Sequence, residues 1–223
     1  MENKKLLQLF TILSIIFLTA SFVIEYIPGA VFGFSILKEH MDFYENIVLG
    51  LFTGTFVSAI SAAIMYKNYQ SGLAQRFEQH MFNMLLYLKH LYSKTNYAEI
   101  DDEWALRDGV DYSLSFYTEI IKECDIIRQD LEIKNIFAKN RNLYDEIMKE
   151  VLTIRQYAAV TSRTLRLTND LQNIQIILGG INAKVDTYSA NLIELLTAFA
   201  KMQGMKGKKL DEYQKTLEIL APK

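Results

Sequence analysis

The feature that most constrains this chain is an uncharged run from Ile47 to Tyr66. A second apolar run covers Leu6 to Ile27, and Glu25 is its only ionisable side chain. A hydrocarbon core of about 30 Å needs about 20 apolar residues of helix, and a helix satisfies its own backbone polar groups there. The sequence therefore predicts spans at about 6–27 and 47–66, a transmembrane hairpin in residues 1–66, and the lipid bilayer as a partner.

The alternative for the first run is a cleaved signal peptide, because Lys4 and Lys5 resemble its charged beginning. The apolar stretch is longer than the usual 7–15 residues of such a peptide, which favours a retained span.

The positions of the cations predict the orientation of the hairpin. Positive charges concentrate on the cytoplasmic side of membrane proteins. Here they flank the two spans, whereas the connection between the spans carries more acidic than basic side chains. We therefore expect both termini in the cytoplasm and residues 28–45 outside. The flanking cations are Lys4, Lys5, Lys67 and Arg76, and the connection contains Lys38, Glu39, Asp42 and Glu45.

Residues 67–223 are predicted to form a cytoplasmic all-helical domain, which makes the whole chain all-α. The only prolines are Pro28 and Pro222, so few residues force a helix to stop between them. By count, this part contains 21 Lys+Arg and 21 Asp+Glu. That balance gives no reason to expect direct binding of nucleic acid.

Apolar spacing marks individual helices of this domain. A stripe with 4-3-4-3 spacing is predicted to continue the helix of the second span, with Gly72 as a candidate hinge. We expect a short helix around Trp104 within residues 95–111, a further helix over 112–131, and an N-cap at Asn140 or Asn142 for the next one. The stripe consists of Phe77, Met81, Met84, Leu88 and Leu91.

The longest pattern is a seam from Val160 to Met202 that alternates steps of four and three residues over six heptads. As one helix it would extend roughly 60 Å, unless Gly179-Gly180 bends or splits it. The same seam suits a helical bundle within the chain or a coiled coil between subunits, and both remain open. A basic link through Gly204 and Gly207 then leads to a short last helix. The seam residues are Val160, Thr164, Leu167, Leu171, Ile174, Leu178, Ile181, Val185, Tyr188, Leu192, Leu195, Phe199 and Met202.

Catalytic and cofactor motifs are lacking in the sequence. The chain has no HExxH, P-loop, GxGxxG, GxSxG or CxxC pattern, and Cys124 is the only cysteine. Residues 101–103, all acidic, suit helix capping better than cation binding. We therefore expect no enzyme activity, no metal and no cofactor.

Three arginines, Arg155, Arg163 and Arg166, form a candidate surface for a phosphate-bearing partner. An ordinary solvated helix face that includes Asp170 is the alternative interpretation.

The second span contains a stripe of small residues. Gly50, Gly54, Ser58 and Ala62 recur every four residues, so each lies about 40° further round the helix than the one before. Small residues let helix backbones approach closely in lipid. The stripe predicts self-association into a homo-oligomer, packing against the first span of the same chain, or both if each helix contacts two neighbours.

The first span has one polar face. Thr11, Ser14, Ser21 and Glu25 fall within a sector of about 80°. Hydroxyl groups that bond to a neighbouring helix explain this face, and so does the lining of a water-filled pore. Glu25 favours the pore, since an ionisable residue in a span usually faces water or a partner.

A hairpin of two spans before a motif-poor helical domain resembles the small two-transmembrane effectors of bacterial antiphage systems, such as those of retrons and the SLATT group. The resemblance covers the order of elements along the chain and carries over no residue role. It implies an inner-membrane effector of abortive infection, which a cytoplasmic sensor protein or nucleoprotein complex triggers. A membrane-tethered helical adaptor is the competing expectation.

Overall fold

The structure, a computed structural model, describes residues 2–26, 41–92, 97, 100 and 102–222, with the backbone alone for residues 2, 3, 24–26, 41 and 42. Within these ranges the chain is helical and contains no strand. Most of the expected outer connection, as well as Asp101 and the Glu25 side chain, lies outside the described residues. The α-helices are α1 (Glu2–Tyr26), α2 (Met41–Leu91), α3 (Glu103–Gln129), α4 (Arg141–Leu167), α5 (Leu171–Met202) and α6 (Lys208–Leu220), with a short 3₁₀ helix at Ile133–Asn135.

The chain divides into two compact units, Met1–Gly72 and Leu73–Lys223. The sequence-based boundary lies between residues 66 and 67, within the same helix. Helix α2 runs through the division without interruption, so Gly72 is helical rather than a break. The first unit therefore contains α1 and the beginning of α2, and the second contains the rest of the chain.

Helices α1 and α2 are both long and apolar enough to cross a membrane. The qualifying segments are Lys4–Val23 and Phe43–Leu91, and only 6% of the most apolar window in each is buried within the chain. The core helix of a soluble protein would be mostly buried. The most apolar segments of these two helices thus lack a protein core that would explain their composition.

The end of α2 lies in the core of the second unit, as its stripe predicts. All five stripe residues, from Phe77 to Leu91, are at most 3% exposed. Phe77 packs against Phe137 and Phe199, with ring centroids 5.4 and 4.9 Å away. Because these three rings come from distant parts of the chain, they join α2 to α5 and to the segment before α4.

Helix α3 begins earlier than the sequence predicts. The expected short helix around Trp104 and the expected helix over 112–131 are one helix that starts at Glu103. The Asp102 side chain accepts a hydrogen bond from the Trp104 backbone N–H and caps this end. Gly109 lies within this helix, and its lack of a side chain makes room for Tyr97, whose ring carbon would lie 2.8 Å from an added Cβ.

The seam predicted from Val160 to Met202 is not one helix. Helix α4 ends at Leu167, and α5 begins at Leu171 with the Asp170 side chain accepting a hydrogen bond from the Asn173 N–H. Thr168 and Asp170 both have extended backbone, which breaks the helix between them. Gly179-Gly180 lies inside α5 and neither splits nor ends it.

The register predicted for α4 is also wrong. Val160 and Leu167 are 65% and 71% exposed, and Thr164 is exposed as well. The buried face instead contains Leu143, Ile147, Val151, Ile154, Ala158, Ser162 and Leu165. Because the helix restarts at Leu171, a register extended backwards from α5 does not apply to α4. The N-cap prediction is confirmed at Asn140, whose side chain accepts a hydrogen bond from the Leu143 N–H.

The α5 part of the seam is buried as predicted at most of its positions. Ile174, Leu178, Ile181, Val185 and Leu192 are at most 3% exposed and lie in the core that the second unit shares. This seam is therefore covered by helices of the same chain.

Helix α6 closes the second unit after a link in which Gly204 and Gly207 have φ of 89° and 53°. Both values favour glycine, because other residues rarely adopt them. Leu217 of α6 is fully buried, and the Lys89 Nζ donates a hydrogen bond of 2.6 Å to the Ile219 carbonyl oxygen. The last helix thus packs onto α2.

Candidate membrane-interacting surface

The first unit presents a largely apolar exterior. Large side chains along both helices are 40–62% exposed. Burying apolar surface is favourable by about 25 cal/mol per Å², so a water-facing surface of this kind is costly, while lipid would cover it. The exposed residues include Leu9, Ile12, Ile15, Ile16 and Phe22 of α1, and Ile47, Phe56, Val57, Ile64 and Met65 of α2.

The small-residue stripe has two different halves. Ala62 is 8% exposed and Ser58 is half-buried, so this half contacts the same chain. Gly50 and Gly54 are exposed, and a Cβ added at either would have no atom within 4 Å. Packing against α1 therefore accounts for the Ala62 half but leaves the two glycines uncovered.

The polar residues of α1 have different surroundings. Ser14 is 7% exposed, Ser21 is half-buried and Thr11 is exposed. The Thr11 and Ser14 hydroxyls donate to the carbonyl oxygens of Leu7 and Phe10, each at 2.8 Å. Ser14 is thus largely covered by its own unit, whereas Thr11 remains accessible.

Two grooves lie along the pair of apolar helices. One has a volume of about 270 Å³ and contains Leu6 and Phe10 opposite Ser58 and Ala62. The other has a volume of about 370 Å³ and places Thr11 and Ser14 opposite Phe52, Phe56 and Ala59. Both are predominantly apolar, so they suit a lipid chain or another apolar helix better than a polar ligand.

The three arginines of the candidate partner surface do not act as one patch. Arg155 binds Asp125 through two hydrogen bonds, of 2.7 Å from Nε and 3.2 Å from Nη2. Arg163 and Arg166 are exposed, and no ion pair occupies their guanidinium groups among the described residues. Arg155 therefore has a structural contact that joins α3 to α4, whereas the guanidinium groups of Arg163 and Arg166 are free to bind a partner.

The contact between Arg155 and Asp125 also shifts the pKa values of both side chains. The hydrogen bonds from Arg155 lower the pKa of Asp125 below its ordinary value, and the nearby Arg128 acts in the same direction. The same hydrogen bonds raise the pKa of Arg155. Both shifts favour the charged forms, so the pair stays ionised at neutral pH.

A buried polar cluster lies between α2 and α3, and sequence reasoning missed it. The Glu123 side chain is 8% exposed, and its Oε2 lies 2.5 Å from the His80 Nδ1. The Asn83 Nδ2 donates to the other carboxylate oxygen at 2.9 Å, and Gln79 in turn donates to Asn83. His80 and Asn83 are more than 35 residues from Glu123 in the chain, so no local spacing predicts the contact.

Two further side chains of α3 are buried rather than reactive. Burial raises the pKa of the Cys124 thiol to about 12, and the thiol lies 3.7 Å from the Met84 sulfur. Burial also raises the pKa of Tyr117, whose hydroxyl is 3.2 Å from that of Tyr157. A protonated, buried thiol is a poor nucleophile, so Cys124 is a packing residue.

Among the residues that the structure describes, no three His, Cys, Asp or Glu side chains come together in a way that would hold a metal ion. Glu103 of the acidic run instead forms an ion pair with Arg107 at 2.8 Å, and Asp102 caps α3.

Comparison of the chain with protein-family models, with curated proteins and with solved structures gives no match.

Proposed function

We propose that this chain is a membrane-embedded effector that oligomerises and permeabilises or depolarises the bacterial inner membrane when a cytoplasmic partner triggers it, as in abortive antiphage defence. The observation that carries the proposal is the pair of helices α1 and α2, each of which contains a segment long and apolar enough to cross a bilayer, with only 6% of its most apolar window buried in the chain. Such helices are suited to lipid.

In this proposal α1 and α2 form a transmembrane hairpin with both termini in the cytoplasm. Lys4, Lys5 and Lys67 flank the apolar segments on the side that the proposal assigns to the cytoplasm, in line with the usual distribution of positive charge. The second unit, with its balanced charge and continuous core, is then the cytoplasmic domain that receives the trigger.

Self-association is proposed to use Gly50 and Gly54. These glycines face open space in the single chain, and small residues allow a second helix to approach closely in lipid. The α5 seam is occupied by the core of its own unit. We therefore assign the contact between copies to the membrane helices and not to a coiled coil along α5.

The water-facing lining is proposed to come from Thr11, Ser21 and Glu25 once copies assemble. Thr11 is exposed in the single chain, and its sector also contains the other two residues. The buried Ser14 is assigned instead to packing against α2. These three polar positions, about three turns and then about one turn apart, would hydrate a lumen along much of α1.

A membrane-tethered helical adaptor is the second candidate. The burial of Ser14 favours it, because one member of the expected pore lining already has a packing role. In this alternative α1 and α2 only anchor the chain, and the second unit docks a cytoplasmic partner. Neither candidate needs an enzyme activity.

The test follows the membrane potential in cells that overproduce the full chain without its partner, because a high concentration of the chain favours assembly without the trigger. We expect the wild type to collapse the signal of a potential-sensitive dye. A Thr11→Leu/Ser21→Leu variant should insert equally well, because leucine favours the bilayer, but depolarise several-fold more slowly. Thr19→Leu is the matched control, since Thr19 is also an exposed hydroxyl of α1 but lies outside the polar sector.

Full polarisation despite a high level of inserted wild type would exclude an effector that acts without its partner and favour the adaptor. Equal depolarisation by the wild type and the Thr11/Ser21 variant would show that the polar face of α1 does not line the lumen.

A further inference from the structure

A groove of about 310 Å³ lies in the second unit, where α4 turns into α5 beside the first half of α3. Unlike the grooves of the first unit, it combines charged and apolar walls. Arg107 and Asp111 line it from α3, and Arg166 lines it from the end of α4. Thr168 and Asn169, in the turn that the sequence did not predict, complete the polar rim.

The floor of the groove is apolar and firmly packed. Val110, Leu165 and Ile174 line it and are 9%, 2% and 2% exposed, and each belongs to the core of the second unit. The floor is therefore built on three helices, and only part of the rim comes from the turn between α4 and α5. Small-molecule sites typically combine such an apolar surface with a few polar groups in a volume of 300 Å³ or more.

The two guanidinium groups of the rim are available to an anion. Arg166 is exposed and forms no ion pair or hydrogen bond with any described residue. Arg107 pairs with Glu103 at 2.8 Å, but both side chains are more than half exposed. An exposed pair one helical turn apart is worth only about 0.3–0.5 kcal/mol, so a ligand can compete for Arg107.

The single carboxylate of the rim restricts the charge of the ligand. Asp111 partly offsets the two arginines, so the rim favours a ligand whose single anionic group lies beside the guanidinium groups and away from the carboxylate. A hydrogen-bond donor on the ligand would also find an acceptor in Asp111.

We propose that this groove binds a small amphipathic anion, with its apolar body on the floor and its phosphate or carboxylate between Arg107 and Arg166. The bidentate geometry of guanidinium suits either anionic group. This site does not depend on the proposed membrane activity, since it is built entirely from helices of the second unit.

The test uses three naphthalene probes that differ only in the polar group: 1-naphthyl phosphate, 1-naphthoate and neutral 1-naphthol. Binding to the full chain in lipid nanodiscs is measured by equilibrium dialysis, with empty nanodiscs as the reference for partition into lipid. We expect saturable binding of at least one anionic probe. The comparison of the two anions identifies which group the site prefers, and 1-naphthol should bind at least tenfold more weakly than the preferred anion.

Arg166→Gln should weaken binding of the preferred anion about tenfold or more, because it removes a charge-assisted hydrogen bond. Arg163→Gln is the matched control: it removes an exposed arginine from the same helix that does not line the groove, and the affinity should stay within twofold. Equal loss in both variants, equal affinity in the wild type and Arg166→Gln, or no binding above that of empty nanodiscs would overturn the proposal.

Discussion

The contact between His80 and Glu123 leads to an asymmetric prediction about the stability of the second unit. The Glu123 side chain is 8% exposed and the His80 side chain 25%. His80→Leu would leave a buried carboxylate with the Asn83 amide as its remaining donor in the cluster. Glu123→Leu would instead leave two donors that lie closer to the surface and can turn towards water.

The exposures set the magnitudes. Leaving a buried carboxylate without one of its partners costs about 2–3 kcal/mol, whereas a partly exposed donor that regains water costs about 1 kcal/mol or less. We therefore expect His80→Leu to destabilise by about 2–3 kcal/mol and Glu123→Leu by about 1 kcal/mol. The double variant should resemble Glu123→Leu alone, which corresponds to a coupling energy of about 2–3 kcal/mol in magnitude.

Native-state hydrogen exchange of the α3 amides around Glu123 measures these changes in the full chain in nanodiscs. Amides of α6, which packs elsewhere on α2, serve as the internal reference. The reasoning is refuted if Glu123→Leu is the more damaging single change, or if the effects of the two substitutions add without coupling.

Two further predictions concern the proposed membrane-spanning helices and the core. Gly54→Leu should weaken self-association in membranes by about 1–3 kcal/mol, measured by crosslinking, because it adds bulk where the single chain has open space, whereas Phe56→Leu should have little effect. Equal oligomer yields in the two variants would show that the stripe is not part of the interface. Phe77→Ala should destabilise the second unit by about 3–5 kcal/mol in thermal unfolding, and Leu131→Ala, at an 85% exposed position, by less than about 0.5 kcal/mol; a similar loss in both would contradict the core packing.

The parts of the fold that the sequence predicts are those in which one helix buries one regular stripe. The end of α2 and most of α5 have apolar residues on a single face, so 4-3 spacing identifies their buried sides. The cap at Asn140 is equally local, because it needs only a short polar side chain before an apolar run.

The parts that the sequence misses depend on competing faces or distant contacts. Helix α4 has apolar residues on two sides, and the prediction followed Val160 and Leu167 rather than Ile154 and Leu165, since only the former fit the register of α5. The turn at Thr168–Asp170, which helps form the polar groove, contains no proline or glycine to mark it. The Glu123 cluster depends on contacts between residues that are far apart in the chain, and local residue spacing gives no information about such contacts.

The most direct measurement asks whether α1 and α2 cross a bilayer as a hairpin. In a Cys124→Ala background, single cysteines at positions 35 and 139 are exposed to a membrane-impermeant maleimide in intact cells. Ser35→Cys should react, because it lies between the two apolar segments, and Lys139→Cys, in the exposed part of the second unit, should react only after lysis. Labelling of Lys139→Cys in intact cells with protection of Ser35→Cys would reverse the orientation, and protection of both until lysis would contradict the transmembrane hairpin itself.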